Sequence, residues 1–396
     1  TLNVSYTYSG MLFTGFITDI QCNGYRGTAT ITVEDGAAWL ERRTPNIGLM
    51  TSTDTGGIIS EILTEVSYPF STNIDAGVDT VDYFWTSERN ALDEIHDLAT
   101  SELGRFCVEA NGTARFINRH SSKPVAHTLT EDEIGRNIHL PVPWEYMRTI
   151  VKVNSYPRVT GSSDSVLWTL RDAVKVTTDA DQEIWTDYNY ENEDVPALDA
   201  FLGAYKATID GTTDGTDKTA DFDLALTAFD RTAKITITNN GASTAYLVDL
   251  ELQGTPITSP DPITVMQETT DAALPTEFIF DYPWLSSVNT AKDFLGVLYN
   301  HLSTARVYPV ITLYQRPETA FTIELEERLH LTLDTYGINQ DFYVSKITHE
   351  SGSTPQEVTT RLYLYPPIAG VSNEDNLYLV LGSADYGLLD TNKLGF

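Results

Sequence analysis

Two stretches near opposite ends of this 396-residue chain carry one pattern, that of a β-hairpin. Residues 13–33 read FTGFITDIQCNGYRGTATITV, and residues 342–364 read FYVSKITHESGSTPQEVTTRLYL. Each opens on aromatic residues and reaches an Ile-Thr pair (Ile17-Thr18, Ile347-Thr348). Each then breaks at Gly and small polar residues and closes in a Thr-rich alternating strand. Apolar residues at every second position bury one face of a strand and leave the other in water. The residues that define the two hairpins are Phe13, Phe16, Ile17, Thr28, Thr30 and Thr32, then Phe342, Tyr343, Ile347, Thr359, Arg361 and Tyr363. A duplicated hairpin gives one chain two equivalent edges, and three copies would close a ring of six similar units.

Between the hairpins, helix signals are few and short. Trp39-Leu40 offers buried apolar surface to close the first unit. After Thr55-Gly56-Gly57, the residues Ile58, Ile59, Ile62, Leu63 and Val66 form one helical stripe, stopped at Tyr68-Pro69. A second helix is expected to start after Thr86-Ser87 as N-cap, with Asn90 at the capping-box position. Ala91, Leu92, Ile95, Leu98 and Ala99 line its buried face, and Gly104 ends it. Strands 105–110 and 113–118 follow, joined by Asn111-Gly112, a strong two-residue turn signal.

Strands resume at 148–156. The acidic stretch 187–199 reads as a linker, and 210–217 (DGTTDGTD) as a loop. Three alternating strands lie between Asp221 and Leu252, the second turned into the third by Asn239-Asn240-Gly241. They predict a separate β-sandwich-like insertion. Pro283-Trp284 leads into a third helix with Ala291, Phe294, Leu295, Leu298 and Leu302 on its apolar face. Residues beyond Pro366-Pro367 have no evident partner within the chain.

A chain this long divides into several domains. The formal charge of −31, from 25 basic and 56 acidic residues, repels nucleic acid and argues against a DNA-binding regulator or nuclease. It agrees with a conduit that releases DNA, and equally with an acidic surface kept soluble at high salt. No stretch reaches the roughly 18 apolar residues of a membrane span, so the sequence reads as soluble. It begins at Thr1 without Met, which leaves open whether residues precede it. Two cysteines, Cys22 and Cys107, are too few and too distant for a disulfide framework and read as free thiols made in a reducing cytoplasm.

Chemical motifs are sparse. The seven histidines do not fall at zinc-ligand spacing, and the sequence has no HExxH, GxSxG or phosphate-binding Gly loop. Asp210, Asp214 and Asp217 are weak calcium candidates in a Gly-containing loop, although the spacing is not that of an EF-hand. Adjacent acids such as Glu131-Asp132-Glu133 and Glu326-Glu327 are expected by chance in so acidic a chain, and nothing sets two of them across a cleft. Trp85, Trp144, Trp168, Trp185 and Trp284 could offer a sugar-stacking surface, but scattered aromatics also build cores and interfaces. The expectation is a non-enzyme without cofactor.

The closing segment FYVSKITHESGSTPQEVTTRLYL resembles the closing strands of tail-tip hub proteins of tailed bacteriophages. ALDEIHDLATSELGRFCVEANGTARFINR (91–119) resembles their helix-plus-hairpin insert, and NLYLVLGSADYGLLDTNKLGF resembles the end of many phage minor tail proteins. The resemblance implies a mainly β architecture of two related β-barrel-like tube units. The first would be 1–48 plus 119–150 and the second 151–186 plus 266–366. A small α+β insert at 49–118, a sandwich-like insertion at 187–265 and a C-terminal extension at 367–396 complete the layout. It further implies a virion component at the tail tip, assembled in the host cytoplasm as a homotrimer. Its partners would be a distal tail ring, a tape measure and a central fibre, with DNA only in transit and possible contact with the host envelope. Two other classes stay open: a glycan- or receptor-binding tail protein, and a wall-degrading tail enzyme.

Overall fold

The computed structural model describes residues 13–368 apart from 26, 87–88, 122, 135–137, 179–180, 270–274, 315 and 352–357. The expectations for residues 1–12, the tip of the second hairpin and the C-terminal extension beyond 368 fall outside the described residues. The fold is mainly β with a few short helices.

The first hairpin pairs β1 (Phe16–Asn23) with β2 (Thr28–Glu34), and among the described residues no other strand joins them. The helix α1 (Gly36–Glu41) follows, capped by Asp35, whose side chain accepts from the Ala37 amide. Leu40 is fully buried, and Trp39 donates its Nε1–H to the Val66 carbonyl at 3.1 Å.

An α+β unit comes next. It comprises β3 (Ile47–Asp54), α2 (Thr55–Glu65), β4 (Thr72–Ile74), β5 (Thr80–Thr86), α3 (Ala91–Ser101), β6 (Arg105–Val108) and β7 (Ala114–Ile117). Strand β3 pairs with β5, while β7 lies between β4 and β6. The predicted stripe of α2 is buried and shares one core with Ile95 and Leu98 of α3. Asp54 caps α2 at the Gly57 amide and also accepts from the Gly77 amide, which ties the next loop to the helix start.

Two local expectations are corrected here. Thr86 ends β5, and the cap of α3 is Asn90, whose side chain accepts from the Asp93 amide at 2.9 Å. The β6–β7 turn is longer than two residues, since Gly112 N–H donates to Glu109 O and Gly112 takes φ +86°. The Asn-Gly pair therefore occupies the end of the turn rather than its centre, and Gly supplies the left-handed residue.

Strands β8 (Val125–Thr130) and β9 (Ile150–Ser155) find their partners only far along the chain. The sandwich intervenes. Its strands are β10 (Val159–Thr160), β11 (Ser165–Thr169), β12 (Val174–Val176), β13 (Asp181–Asp187), β14 (Asn189–Tyr190), β15 (Glu193–Asp194), β16 (Ala197–Thr208), β17 (Phe222–Ala228), β18 (Thr232–Asn239) and β19 (Ala245–Thr258). One sheet is organised around β19, which pairs with β10, β11, β12 and β16; the other runs β13-β18-β17. Ile235, Ile237, Leu247 and Leu250 lie in the core between them. The boundary expected at 187 is thus corrected: β10 to β13 already belong to this unit, because β19 and β18 supply their backbone partners. The predicted linker at 187–199 is also structured. Glu191 and Asn192 both take positive φ and turn β14 into β15, and β16 starts at Ala197.

After the sandwich, β20 (Ile263–Glu268) and β21 (Glu277–Phe280) flank β9, and α4 (Val288–Leu302) packs Phe294 and Leu298 against Val151 and Val153. Ser287 caps α4 at the Thr290 amide. Trp284 reaches back into the core of the α+β unit, 4.6 Å from the Phe84 ring. The last unit holds β22 (Val310–Tyr314), α5 (Pro317–Ala320), β23 (Arg328–Leu333), β24 (Ile338–Ser351) and β25 (Val358–Tyr365), in the sheet order β22-β25-β24-β23-β8. Strand β8 runs parallel to β23. The segment 119–150, expected beside the first hairpin, thus gives its strand to the sheet of the second.

Candidate functional site

The two hairpins set their register by the same device. In β1–β2 the ladder runs Phe16·Glu34, Ile17·Val33, then slips past Thr18 to Asp19·Thr32 and Ile20·Ile31. In β24–β25 it runs Tyr343·Tyr365, Val344·Leu364, then slips past Ser345 to Lys346·Tyr363 and Ile347·Leu362. Each bulged residue donates its hydroxyl to the carbonyl just beyond the slip. Thr18 Oγ1 reaches Thr32 O at 3.4 Å, and Ser345 Oγ reaches Tyr363 O at 3.0 Å. A bulge adds one residue to one strand and turns the following side chains over. It therefore brings Ile17 and Ile20 onto one face, as it does Val344 and Ile347.

This register corrects the equivalence read from the Ile-Thr pairs. Ile17-Thr18 corresponds to Val344-Ser345, and Ile20 corresponds to Ile347. Thr28, Thr30 and Thr32 correspond to Thr359, Arg361 and Tyr363, and Phe16 to Tyr343. Phe342 is level with Gly15, so Phe13 has no counterpart there.

The hairpins differ in what covers them. In the second, Val344, Leu362 and Leu364 are buried and Ile347 packs beside them in the core of the five-stranded sheet. In the first, the matching residues stand in solvent, with Ile17 62%, Ile20 56%, Ile31 54% and Val33 40% exposed. The opposite face carries the row Thr28, Thr30 and Thr32 in one hairpin and Thr359, Arg361 and Tyr363 in the other.

Each hairpin is anchored at its base. Phe16 stacks on Trp39 at 5.5 Å and lies 5.3 Å from Phe70, while the Arg43 guanidinium covers the other ring at 3.7 Å from the Trp39 centroid. Glu34 pairs with Arg42. In the second hairpin, Arg105 from β6 lies over the Tyr343 ring at 4.2 Å and 3.3 Å from Glu326. Tyr365 donates to Glu326 at 2.5 Å, and burial together with that carboxylate pushes its hydroxyl far up from the ordinary tyrosine range.

The calcium candidates Asp210 and Asp217 are spent on structure. Asp210 accepts from the amide and hydroxyl of Thr212, and Asp217 from the Thr219 amide, so both carboxylates hold turns. Among the described residues no group of three His, Cys, Asp or Glu side chains could hold a metal ion. Cys22 is exposed, Cys107 half-buried, and both are free thiols. His349 lies 2.7 Å from the Thr360 hydroxyl. Trp85 and Trp284 meet edge to face at 6.3 Å. Among the described residues no helix is long and apolar enough to cross a membrane.

Sequence reasoning missed several polar groups held inside the fold: Glu94, Glu102 and His301 are all buried, each with an atom lacking a hydrogen-bond partner. Glu94 and Glu102 lie on or next to the apolar face of α3, and His301 on that of α4. Their helical spacing was the available signal.

The sequence matches no protein-family model and no curated protein. Among solved structures, the chain is similar to the 43 kDa tail protein of prophage MuSo2 from Shewanella oneidensis, at 9% identity and TM-score 0.49, over 90% of this chain and 80% of that one. It is similar to the tail protein from Neisseria meningitidis MC58 at 10% identity and TM-score 0.49, over 89% and 79% of the two chains. A prophage tail protein from Listeria monocytogenes EGD-e is similar at 9% identity and TM-score 0.42, over 91% and 82%.

Proposed function

We propose that this chain is a structural component of a bacteriophage-type tail, a hub that closes the distal end of the tail tube as a homotrimer. The observation that carries the reading is the pair of hairpins with one register, one bulge and one bulge hydrogen bond, of which the second alone has its apolar face covered. In the trimer, the first hairpin of each copy sets Ile17, Ile20, Ile31 and Val33 against a neighbouring copy. The second hairpin does the equivalent within its own chain. Two hairpins from each of three chains then meet a six-fold tube. Such closure removes apolar surface and free strand edges together.

The resemblance of 342–364 and 91–119 to tail-tip hubs supports the same reading. Its role is mechanical: the ring anchors a central fibre or receptor-binding protein, adjoins the distal tail ring and tape measure, and opens for DNA in transit. A chain of net charge −31 suits a lumen that DNA crosses without being held.

Gold-labelled antibody against the chain, applied to purified virions, tests the assignment. Label confined to the distal tail end is the expected result. Label along the tail, on the head, or absent from particles would refute it.

A further inference from the structure

The outer face of the β13-β18-β17 sheet carries two aromatic rings that the core does not use. Trp185 on β13 sits opposite Lys234 of β18, and Phe229 stands just past the end of β17, on the far side of β18. Their rings are parallel to within 11°, with centroids 5.8 Å apart. Trp185 is 61% exposed and Phe229 46%. Lys234, ion-paired to Glu183 at 2.5 Å, lies 5.9 Å from the Trp185 ring centroid.

These rings form one wall of a cleft of about 680 Å³; Asn46, Gly48 and Trp85 form the other wall. The two walls approach closely at Gly48, where a Cβ would stand 2.2 Å from Asp230 Oδ2. Asp187, Asp194 and Asp230 line the cleft with a single guanidinium, Arg231.

We infer that this cleft is a binding site for an oligosaccharide of neutral or amino sugars. Trp185 and Phe229 stack on one another, and the ring surface they leave in solvent is an apolar wall that suits the C–H face of a pyranose. The carboxylates and the Asn46 amide stand around it as acceptors and donors for sugar hydroxyls, the usual division between an apolar wall and a few polar groups in a ligand site. Three carboxylates against one guanidinium disfavour anionic ligands, including nucleic acid and acidic glycans. The inference goes beyond the tail reading and stands without it.

The test is a glycan array carrying neutral, amino-sugar and acidic oligosaccharides, probed with the labelled full-length chain, followed by calorimetry on the best binder. Binding to neutral or amino sugars is expected. Trp185→Ala is expected to weaken it by about tenfold or more, a loss of roughly 1.4 kcal/mol, and Phe229→Ala by several-fold, with circular dichroism unchanged because both rings lie outside the core. Absence of any saccharide binding, binding restricted to acidic glycans, or affinity that survives both substitutions would each overturn the inference.

Discussion

Glu94 has 1% of its side chain exposed, and burial, reinforced by Asp97 and Asp93 against the opposing Arg89, pushes its carboxyl up to about 7. Glu102 is fully buried and is likewise pushed up to about 7 by burial. An acid whose folded-state pKa is raised binds more protons folded than unfolded between about 4.5 and 7. It therefore lowers stability as pH rises through that window. Glu94→Gln should match the wild type near pH 4.5 and exceed it at pH 8 by on the order of 3 kcal/mol. Urea unfolding at the two pH values checks this, and an unchanged difference between them would contradict it. His301 runs the other way, since burial and then Arg306 push it down to about 4. Its neutral form is favoured in the fold, so stability is lost as pH falls from about 6.5 to 4. His301→Gln should accordingly gain on the wild type across that interval in the same assay.

At the scale of elements, the apolar faces of the two hairpins separate local from assembled stability. Ser345→Ala removes an exposed hydroxyl bond to the Tyr363 carbonyl and should cost about 0.5 kcal/mol in chemical denaturation. Thr18→Ala removes the equivalent bond, also exposed and longer at 3.4 Å, and should cost no more than that. Leu362→Asp buries a charge in the five-stranded sheet and should prevent folding. Its equivalent Ile31→Asp should leave the monomer folded and abolish assembly, read by circular dichroism and sedimentation. These elements also mark what the sequence could tell. The hairpins, α2, α3 and α4 were legible because periodicity is a local signal, carried by runs such as Ile58, Ile59, Ile62 and Leu63. The bulges left no mark in residue type, so the Ile-Thr pairs suggested an alignment three residues away from the one the ladders set. The start of strand β16 reads as linker in the sequence because its pairing with β19 slips three times and breaks its alternation. The partner of β8 could not be read at all, since parallel pairing across so long a separation leaves no local pattern. Trp85 and Trp185 stand out by residue type, but the cleft they share does not, since its walls come from segments that only the fold brings together.

The whole molecule is built from units joined by a few long-reaching side chains. Trp284 enters the α+β core, and Arg105 leaves that unit to cover the second hairpin. Such ties hold the second hairpin inside its own chain, while the first remains an anchored but uncovered ribbon. If another copy covers that ribbon, the assembled mass follows. With a net charge of −31, copies repel one another at low ionic strength, so assembly should strengthen as salt screens that repulsion. Light scattering on the purified chain across a salt series reads this directly. The account predicts a particle of three times the 44.0 kDa chain, populated more fully at high salt and lost in Ile31→Asp. A monomer at every salt concentration, or a trimer that survives Ile31→Asp unchanged, would contradict it.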